Sequence, residues 1–380
     1  MTRMTSKMAS MVVALAVLGM AGTVEAGDRK DGRPVIQLAI LLDTSNSMDG
    51  LINQAKSELW TIVNEFATAK KKGKSPHLEV ALYEYGKSSL PAKEGYIRMI
   101  VPLTTNLDKI SEELFALKTN GGSEYCGQVL DVATRELDWS KESGDLKIMV
   151  IAGNEPFTQG PVDYKKAAKA AISKGIMINT IFCGPQQTGI QGMWKDGAVL
   201  ADGRYMNIDQ NKAVVHIAAP QDKKIAELSG KLNSTYIAYG KKGKKARSRQ
   251  MAQDSNAAGV STSNAAQRAV TKSSRLYKNV GWDMVDADEA GAVDIAKMEE
   301  EALPDEMKGM DGEERKAYVG KKKKEREEIQ AEIRKLNKGR KKFVAEKRSK
   351  MEKSDSETMN SALIKAVRSQ AVEADFEFAE

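Results

Sequence analysis

One short segment near the start of the chain constrains the fold more than any other. Residues 35–42 are almost all apolar, and the run ends at a carboxylate, Asp43. An apolar run of this length is typical of a central parallel strand that helices cover on both faces. Apolar residues from Leu51 to Phe66 then recur at helical spacing, which predicts a helix directly after the strand.

The same alternation continues as far as Tyr239. Further strands are expected at 78–85, 97–103, 146–152, 177–182, 205–208 and 235–239, with helices at 107–117, 129–139, 164–173 and 225–232. Strands that alternate with helices predict an α/β domain with a doubly wound, mostly parallel sheet and right-handed crossovers. We assign this domain to residues 34–240.

The composition of the chain changes after Gly240. Residues 241–290 are basic at first and then rich in Ser, Asn, Ala and Gly, which is typical of a linker. Residues 291–380 are dominated by Lys, Glu and Arg beyond Pro304, which predicts a charged α-helical region. An apolar stripe at about heptad spacing makes this region a candidate coiled coil; the stripe consists of Ile329, Ile333, Leu336 and Phe343.

The net charge of +7 is unevenly distributed along the chain. Residues 321–350 contain 14 Lys and Arg against 5 Asp and Glu, a net charge of +9. The remainder is close to neutral, so nucleic acid is not the expected partner of the sheet domain. Three interpretations of the basic tail are open: a solvated helix packed along one side, a docking or self-associating helix, and a helix attracted to an anionic envelope surface. Trp282-Asp283 and the acidic run 286–289 precede the tail; pairing with the tail in cis and a solvated loop are both open for them.

The first 26 residues are typical of a signal peptide. Arg3 and Lys7 precede a short apolar run at 11–20, and Val24-Glu25-Ala26 matches a small-x-small cleavage pattern. Cleavage after Ala26 predicts a periplasmic or secreted protein, and no later stretch of sequence is apolar for long enough to cross a membrane. An oxidising compartment would allow a disulfide between Cys126 and Cys183, and two buried thiols are the alternative.

A polar motif follows the first buried strand. Asp43, Ser45 and Ser47 occupy alternate positions where this strand meets its helix. In open α/β sheets, ligands bind at the carboxyl ends of the strands. A carboxylate and two hydroxyls suit a hard divalent cation such as Mg²⁺, which prefers oxygen ligands and keeps some of its waters. The sequence therefore predicts a metal site at this strand end.

The motif is similar to the first part of the metal-ion-dependent adhesion site of von Willebrand factor A-type domains, and the resemblance spans residues 34–240. It implies a Rossmann-like fold and a site for Mg²⁺, or for Mn²⁺ or Ca²⁺. The second loop of such sites supplies a Thr after a Gly-Gly pair, and Ser123 stands there in this sequence. The third supplies an Asp, and Asn154 stands there. The amide removes one negative charge, which Glu124 or Glu155 are candidates to restore.

The resemblance implies binding without turnover: a metal-bound site captures an Asp or Glu side chain of a partner protein. Tyr-Cys-Gly at 125–127 and Phe-Cys-Gly-Pro at 182–185 also resemble a group of exported bacterial A-domain proteins. We do not expect an enzyme, because His77 and His216 are the only histidines and no Gly-x-Ser-x-Gly elbow occurs. Two alternatives are a metal-free envelope scaffold that acts through its helical tail, and a non-catalytic accessory subunit of an enzyme complex.

Overall fold

The computed structural model describes residues 32–209, 211, 214–351 and 359–378. The predicted signal peptide and its cleavage point lie outside these residues. The fold is described below from its sheet outward.

A six-stranded sheet forms the centre of the protein. Its strand order is β4-β3-β1-β5-β6-β7, and every pair is parallel except β3 with the edge strand β4. The strands are β1 (Val35–Asp43), β3 (His77–Tyr85), β4 (Ile97–Thr104), β5 (Leu146–Gly153), β6 (Ile176–Cys183) and β7 (Tyr205–Ile208). The predicted mostly parallel sheet is confirmed.

Helices cover both faces of this sheet. One face carries α1 (Asp49–Phe66) and α2 (Leu107–Ala116), and the other carries α3 (Cys126–Glu136) and α4 (Tyr164–Ser173). Along β1, Ile36 and Leu38 point into the first core while Ala39 and Leu41 point into the second. Successive side chains of a strand point to opposite faces, which is why an uninterrupted apolar run was required. Two short helices, α5 (Gln186–Gln191) and α6 (Trp194–Val199), precede β7.

Most of the segment 241–290 is helical, where the sequence predicted a basic and polar linker. After α7 (Asp222–Asn233) the chain forms α8 (Gly240–Val260), α9 (Thr262–Lys272) and the short α10 (Met284–Glu289). Arg268 and Lys272 of α9 are fully buried. Asp254 accepts from both, and Asp108 of α2 pairs with Arg268 at 2.7 Å. A high content of charged residues indicates solvent exposure only when no partner is available, and here the partners come from distant segments.

Residues 235–239 do not form the predicted strand. Among the described residues, their one strand-like pairing is an isolated β-bridge between Ala238 and Asp283. Ile237 instead packs in a small cluster with Met284 and Val285. A short apolar run therefore marks burial here without a strand, an ambiguity that is common for runs of this length.

The tail helix α11 (Gly312–Met351) is 40 residues long and packs against α7 and α9. Ile333 is buried, and Ile329 and Leu336 pack beside it. The apolar stripe therefore serves packing within this chain. Arg326 pairs with Asp283 (2.6 Å) and Asp286 (3.3 Å) of the acidic segment 283–289. Of the two alternatives for this segment, the structure has the pairing in cis.

The end of the chain returns to the sheet domain. Helix α12 (Met359–Glu373) packs on α1, and Leu363, Val367 and Phe376 belong to the same core as the central strand. The short strands β2 (Ala69–Lys70) and β8 (Glu377–Phe378) then pair in antiparallel fashion. The core of the sheet domain therefore includes residues far beyond Gly240.

A buried glutamate on α1 predicts a pH-dependent stability. Burial raises the pKa of Glu58 to about 7, although Arg348 and Thr61 oppose the shift. The folded protein therefore binds this proton more tightly than the unfolded chain does, and the free energy of unfolding falls as the pH rises from about 4.5 to 7. A Glu58→Gln variant should be more stable than the parent by about 2–3 kcal/mol at pH 8.

Urea unfolding of both proteins at acidic and alkaline pH measures this difference. The two stabilities should converge well below pH 4.5, where the glutamate is protonated in both states. Glu227→Gln, which changes an exposed glutamate of α7, serves as the matched control and should show no such trend. A difference between Glu58→Gln and the parent that does not change with pH would contradict the argument.

Candidate metal centre

The first loop of the site follows β1 directly. Asp43 is fully buried at the end of this strand, and its Oδ1 accepts a hydrogen bond from the backbone N–H of Ser45 at 2.7 Å. The hydroxyls of Ser45 and Ser47 lie 3.4 Å apart. Because alternate residues of this turn face the same way, the three predicted side chains are brought together before α1 begins.

The second loop joins α2 to α3 and lies beside the first. The backbone N–H of Asn120 donates to the carbonyl of Thr44 at 2.9 Å. Ser123 is half-buried, and the next residue, Glu124, is buried against the site. The N–H of Glu124 donates to the side chain of Gln159 at 2.6 Å, which ties the second loop to the third.

The third loop follows β5 and supplies Asn154. Its Nδ2 donates to Ser47 Oγ at 3.1 Å, so the amide lies where the resemblance placed a carboxylate. Two buried oxygens in this region, Asp43 Oδ2 and Asn154 Oδ1, have no hydrogen-bond partner among the described residues. Buried acceptors are normally satisfied, and an exception requires an explanation such as a bound ion.

Negative charge is concentrated around the buried aspartate. The pKa of Asp43 is raised to about 7, with burial as the largest cause. Hydrogen bonds from Ser45 oppose this shift, and the nearby carboxylates of Glu124 and Glu155 add to it. Burial and Glu155 also raise the pKa of Glu124. The proton is therefore a competitor for this site near neutral pH, and a divalent cation would displace it.

Two glycines let the loops approach this carboxylate. A Cβ at Gly86, whose φ is +81°, would lie 2.8 Å from Asp43 Oδ1 and from Glu124 Cγ. A Cβ at Gly153 would lie 2.6 Å from Tyr85 Oη and 3.1 Å from Asp43 Oδ2. Neither position leaves room for a side chain, so both glycines are part of the site's architecture.

Three further residues contribute to the site. Gly86, Gln159 and Tyr85 belong to no motif that marks a role there. Tyr85 Oη donates to the carbonyl of Ala152 at 3.0 Å below the site. The position of Tyr85 at the end of a strand next to β1 is the one clue that the sequence offered.

The two cysteines do not form the disulfide that was one of the two expectations. Both are buried free thiols. Cys126 belongs to the core on one face of the sheet and Cys183 to the core on the other. Burial raises the pKa of both thiols above the usual range, which disfavours the thiolate and therefore nucleophilic chemistry.

Outside this site, the titratable side chains of the described residues form no further metal centre. No group of three His, Cys, Asp or Glu side chains could hold a metal within the described ranges. His77 begins β3, at the opposite edge of the sheet from the site. Any metal at Asp43 would therefore depend on the serine hydroxyls and the amide as well as on carboxylates.

The protein therefore belongs to the class of open α/β folds. Its candidate site is built from loops at the carboxyl ends of the central strands, where such folds bind ligands. A family model described as von Willebrand factor type A domain matches residues 37–192. Residues 37–192 are therefore similar to this family, which confirms the von Willebrand factor A-type resemblance drawn from the sequence, while the export of the chain stays a prediction.

Several solved structures match part of this chain at low sequence identity and low TM-score. The conserved hypothetical protein BatB from Bacteroides thetaiotaomicron is 17% identical, with a TM-score of 0.35, over 46% of this chain and 90% of that one. The SpRpn10 VWA domain is 15% identical, with a TM-score of 0.35, over 46% and 88%. Proximal thread matrix protein 1 from the mussel byssus, with a zinc-occupied MIDAS motif, is 13% identical, with a TM-score of 0.36, over 47% and 43%.

No curated protein sequence matches the chain. Within the ranges that the structure describes, no helix combines the length and the apolar character needed to cross a membrane.

Proposed function

We propose that this protein is a binding module that captures an acidic side chain of a partner protein through a divalent metal. Asp43, Ser45, Ser47, Ser123 and Asn154 would hold the metal. Glu124 and Glu155 would add negative charge around it. When bound, the metal supplies an open coordination position that a partner's Asp or Glu fills.

One observation carries this proposal. Asp43 Oδ2 and Asn154 Oδ1 are buried acceptors with no hydrogen-bond donor among the described residues. They lie on the first and third loops, which the hydrogen bond from Asn154 to Ser47 connects. A buried carboxylate oxygen without a donor is unfavourable, and a cation between the loops would relieve this. The donor set consists entirely of oxygens, which fits Mg²⁺ or Mn²⁺ better than a soft metal.

Calorimetric titration of Mg²⁺ and Mn²⁺ into the full chain tests the proposal. The full chain is needed because α12 belongs to the core of the domain. The parent should bind about one ion per chain, and an Asp43→Ala variant should give no binding heat. Asp131→Ala is the matched control, since it removes a half-buried carboxylate of α3 that pairs, among the described residues, with Arg135 one turn along the same helix.

A silent titration of a folded parent would favour the second candidate, a metal-free scaffold. The observation on its side is the raised pKa of Asp43, because a proton can neutralise the site without an ion. The predicted periplasmic or secreted location is compatible with either candidate. An accessory subunit of an enzyme complex is the third, and stoichiometric co-purification of an enzyme would support it.

A further inference from the structure

The C-terminal half of α11 is far more basic than the rest of the chain. Residues 333–351 contain nine Lys and Arg and a single Glu. Arg340 is buried and pairs with Asp222 at the start of α7 at 2.6 Å. The helix is therefore fixed against α7 at this point. The lysines of this half of α11 are exposed.

Six exposed lysines form what we call the basic ridge. Four lie on α11 and two on the adjoining first turn of α7; they are Lys335, Lys338, Lys341, Lys342, Lys223 and Lys224. The two helices meet here, since Gly339 lies against the side chain of Gln221. The ridge is therefore a patch two helices wide.

The basic ridge has no acidic partner in the part of the chain that the structure describes: none of its six lysines makes an ion pair with a carboxylate there. In the first half of α11, by contrast, Lys316, Lys322 and Lys323 pair with glutamates at 3.0, 3.2 and 3.5 Å. The first half of the helix is therefore partly neutralised by ion pairs, whereas the lysines of the ridge are not.

Helix stability does not account for this asymmetry. Cations favour the C-terminal end of a helix only within about its last turn. Lys335, Lys338 and Lys342 lie well before the end at Met351. Unpaired like charges at this density repel one another, which destabilises the folded state slightly. A polyanionic partner would remove that repulsion.

We infer that the basic ridge attaches this protein to an anionic phospholipid surface. Each lysine near such a surface contributes about 1 kcal/mol of attraction. The ridge offers no stacking platform for bases, because its nearest aromatic residue, Phe343, is half-buried under Lys347. The apolar side of α11 is occupied by α7 and α9, so attachment is peripheral and depends on charge alone.

Co-sedimentation of the full chain with phospholipid vesicles tests this inference. The probe is phosphatidylcholine with about 30% phosphatidylglycerol, against phosphatidylcholine alone. The parent should bind only the anionic vesicles at about 50 mM salt and should be released at about 500 mM. Replacing Lys338, Lys341 and Lys342 by Gln together should weaken binding on the order of 100-fold.

The matched control replaces three exposed lysines of α4 by Gln, namely Lys165, Lys166 and Lys169. This variant loses the same charge on the other side of the sheet and should bind as the parent does. No binding by the parent, or an equal loss in both variants, would overturn the inference. Release of bound protein by duplex DNA at equal phosphate concentration would also overturn it, and would assign the ridge to nucleic acid. Asp43→Ala should bind vesicles normally, so this result is independent of the metal site.

Discussion

An Arg326→Ala variant is expected to lose about 3–5 kcal/mol of its free energy of unfolding. The guanidinium is buried between α11 and the acidic segment, where it pairs with Asp283 and Asp286 and donates to the carbonyl of Thr235 at 2.7 Å. Its central carbon also lies 4.1 Å from the ring of Tyr236. Truncation leaves the buried carboxylate of Asp283 without its cation, while Asp286 keeps Lys278 at 3.2 Å. Removing one partner in this way is the costly way to break a buried pair.

The loss should depend on pH. Burial raises the pKa of Asp283, and Arg326 is the strongest opposing influence. Without the arginine, the folded state would hold a proton on this carboxyl more tightly than the unfolded chain does. The destabilisation should therefore be largest at pH 8 and should shrink as the pH falls toward the ordinary aspartate value of 3.8.

Urea unfolding of Arg326→Ala beside Lys324→Ala measures both effects. Lys324 is exposed on the same helix, and its truncation should change stability by no more than about 0.5 kcal/mol. Equal losses of unfolding free energy in the two variants would show that the buried ion pair contributes no more to stability than the exposed lysine does. A pH-independent loss would mean that packing of the side chain, and not its charge, holds α11 in place.

An Asn154→Asp variant is expected to bind Mg²⁺ about 10- to 100-fold more tightly than the parent. The new carboxylate would lie beside Ser47, on the loop that faces Asp43. An additional negative charge at close range strengthens the attraction for a divalent cation, and Ser47 can donate its hydroxyl proton to the new oxygen. The same calorimetric titration gives the two affinities.

This substitution should also lower the stability of the metal-free protein. Asp43, Glu124 and Glu155 already repel one another, and a fourth carboxylate adds to that repulsion. The melting temperature of Asn154→Asp should therefore fall without Mg²⁺ and recover when the ion is added. An affinity equal to or below that of the parent would show that residue 154 does not face the ion.

The sheet and the first loop of the site could be predicted because their signals are local. A strand buried on both faces must be apolar throughout, so residues 35–42 identified the centre of the sheet. The end of such a strand must lie at the ligand-binding edge, so Asp43, Ser45 and Ser47 were expected together. These inferences need only the order of residues over one strand and one turn.

The order of the loops also located Asn154 from the sequence. The structure then brought its amide to Ser47, although the two residues are separated by 107 positions. Gly86, Gln159 and Tyr85 could not be found in this way, because each acts through a contact with another loop. Single glycines and glutamines are common, and nothing in their immediate neighbours marks these.

Patterns within one strand or one turn were enough to predict the sheet domain, its mostly parallel character and the polar motif at its ligand-binding edge. Three features became visible in the folded protein alone: the helices within residues 241–290, the separation of Cys126 from Cys183, and the contribution of α12 to the core. The reason is the range of the interactions. Apolar periodicity is set by neighbouring residues, whereas a buried charge such as Arg268 is stable only beside carboxylates such as Asp108 and Asp254, which folding brings within reach.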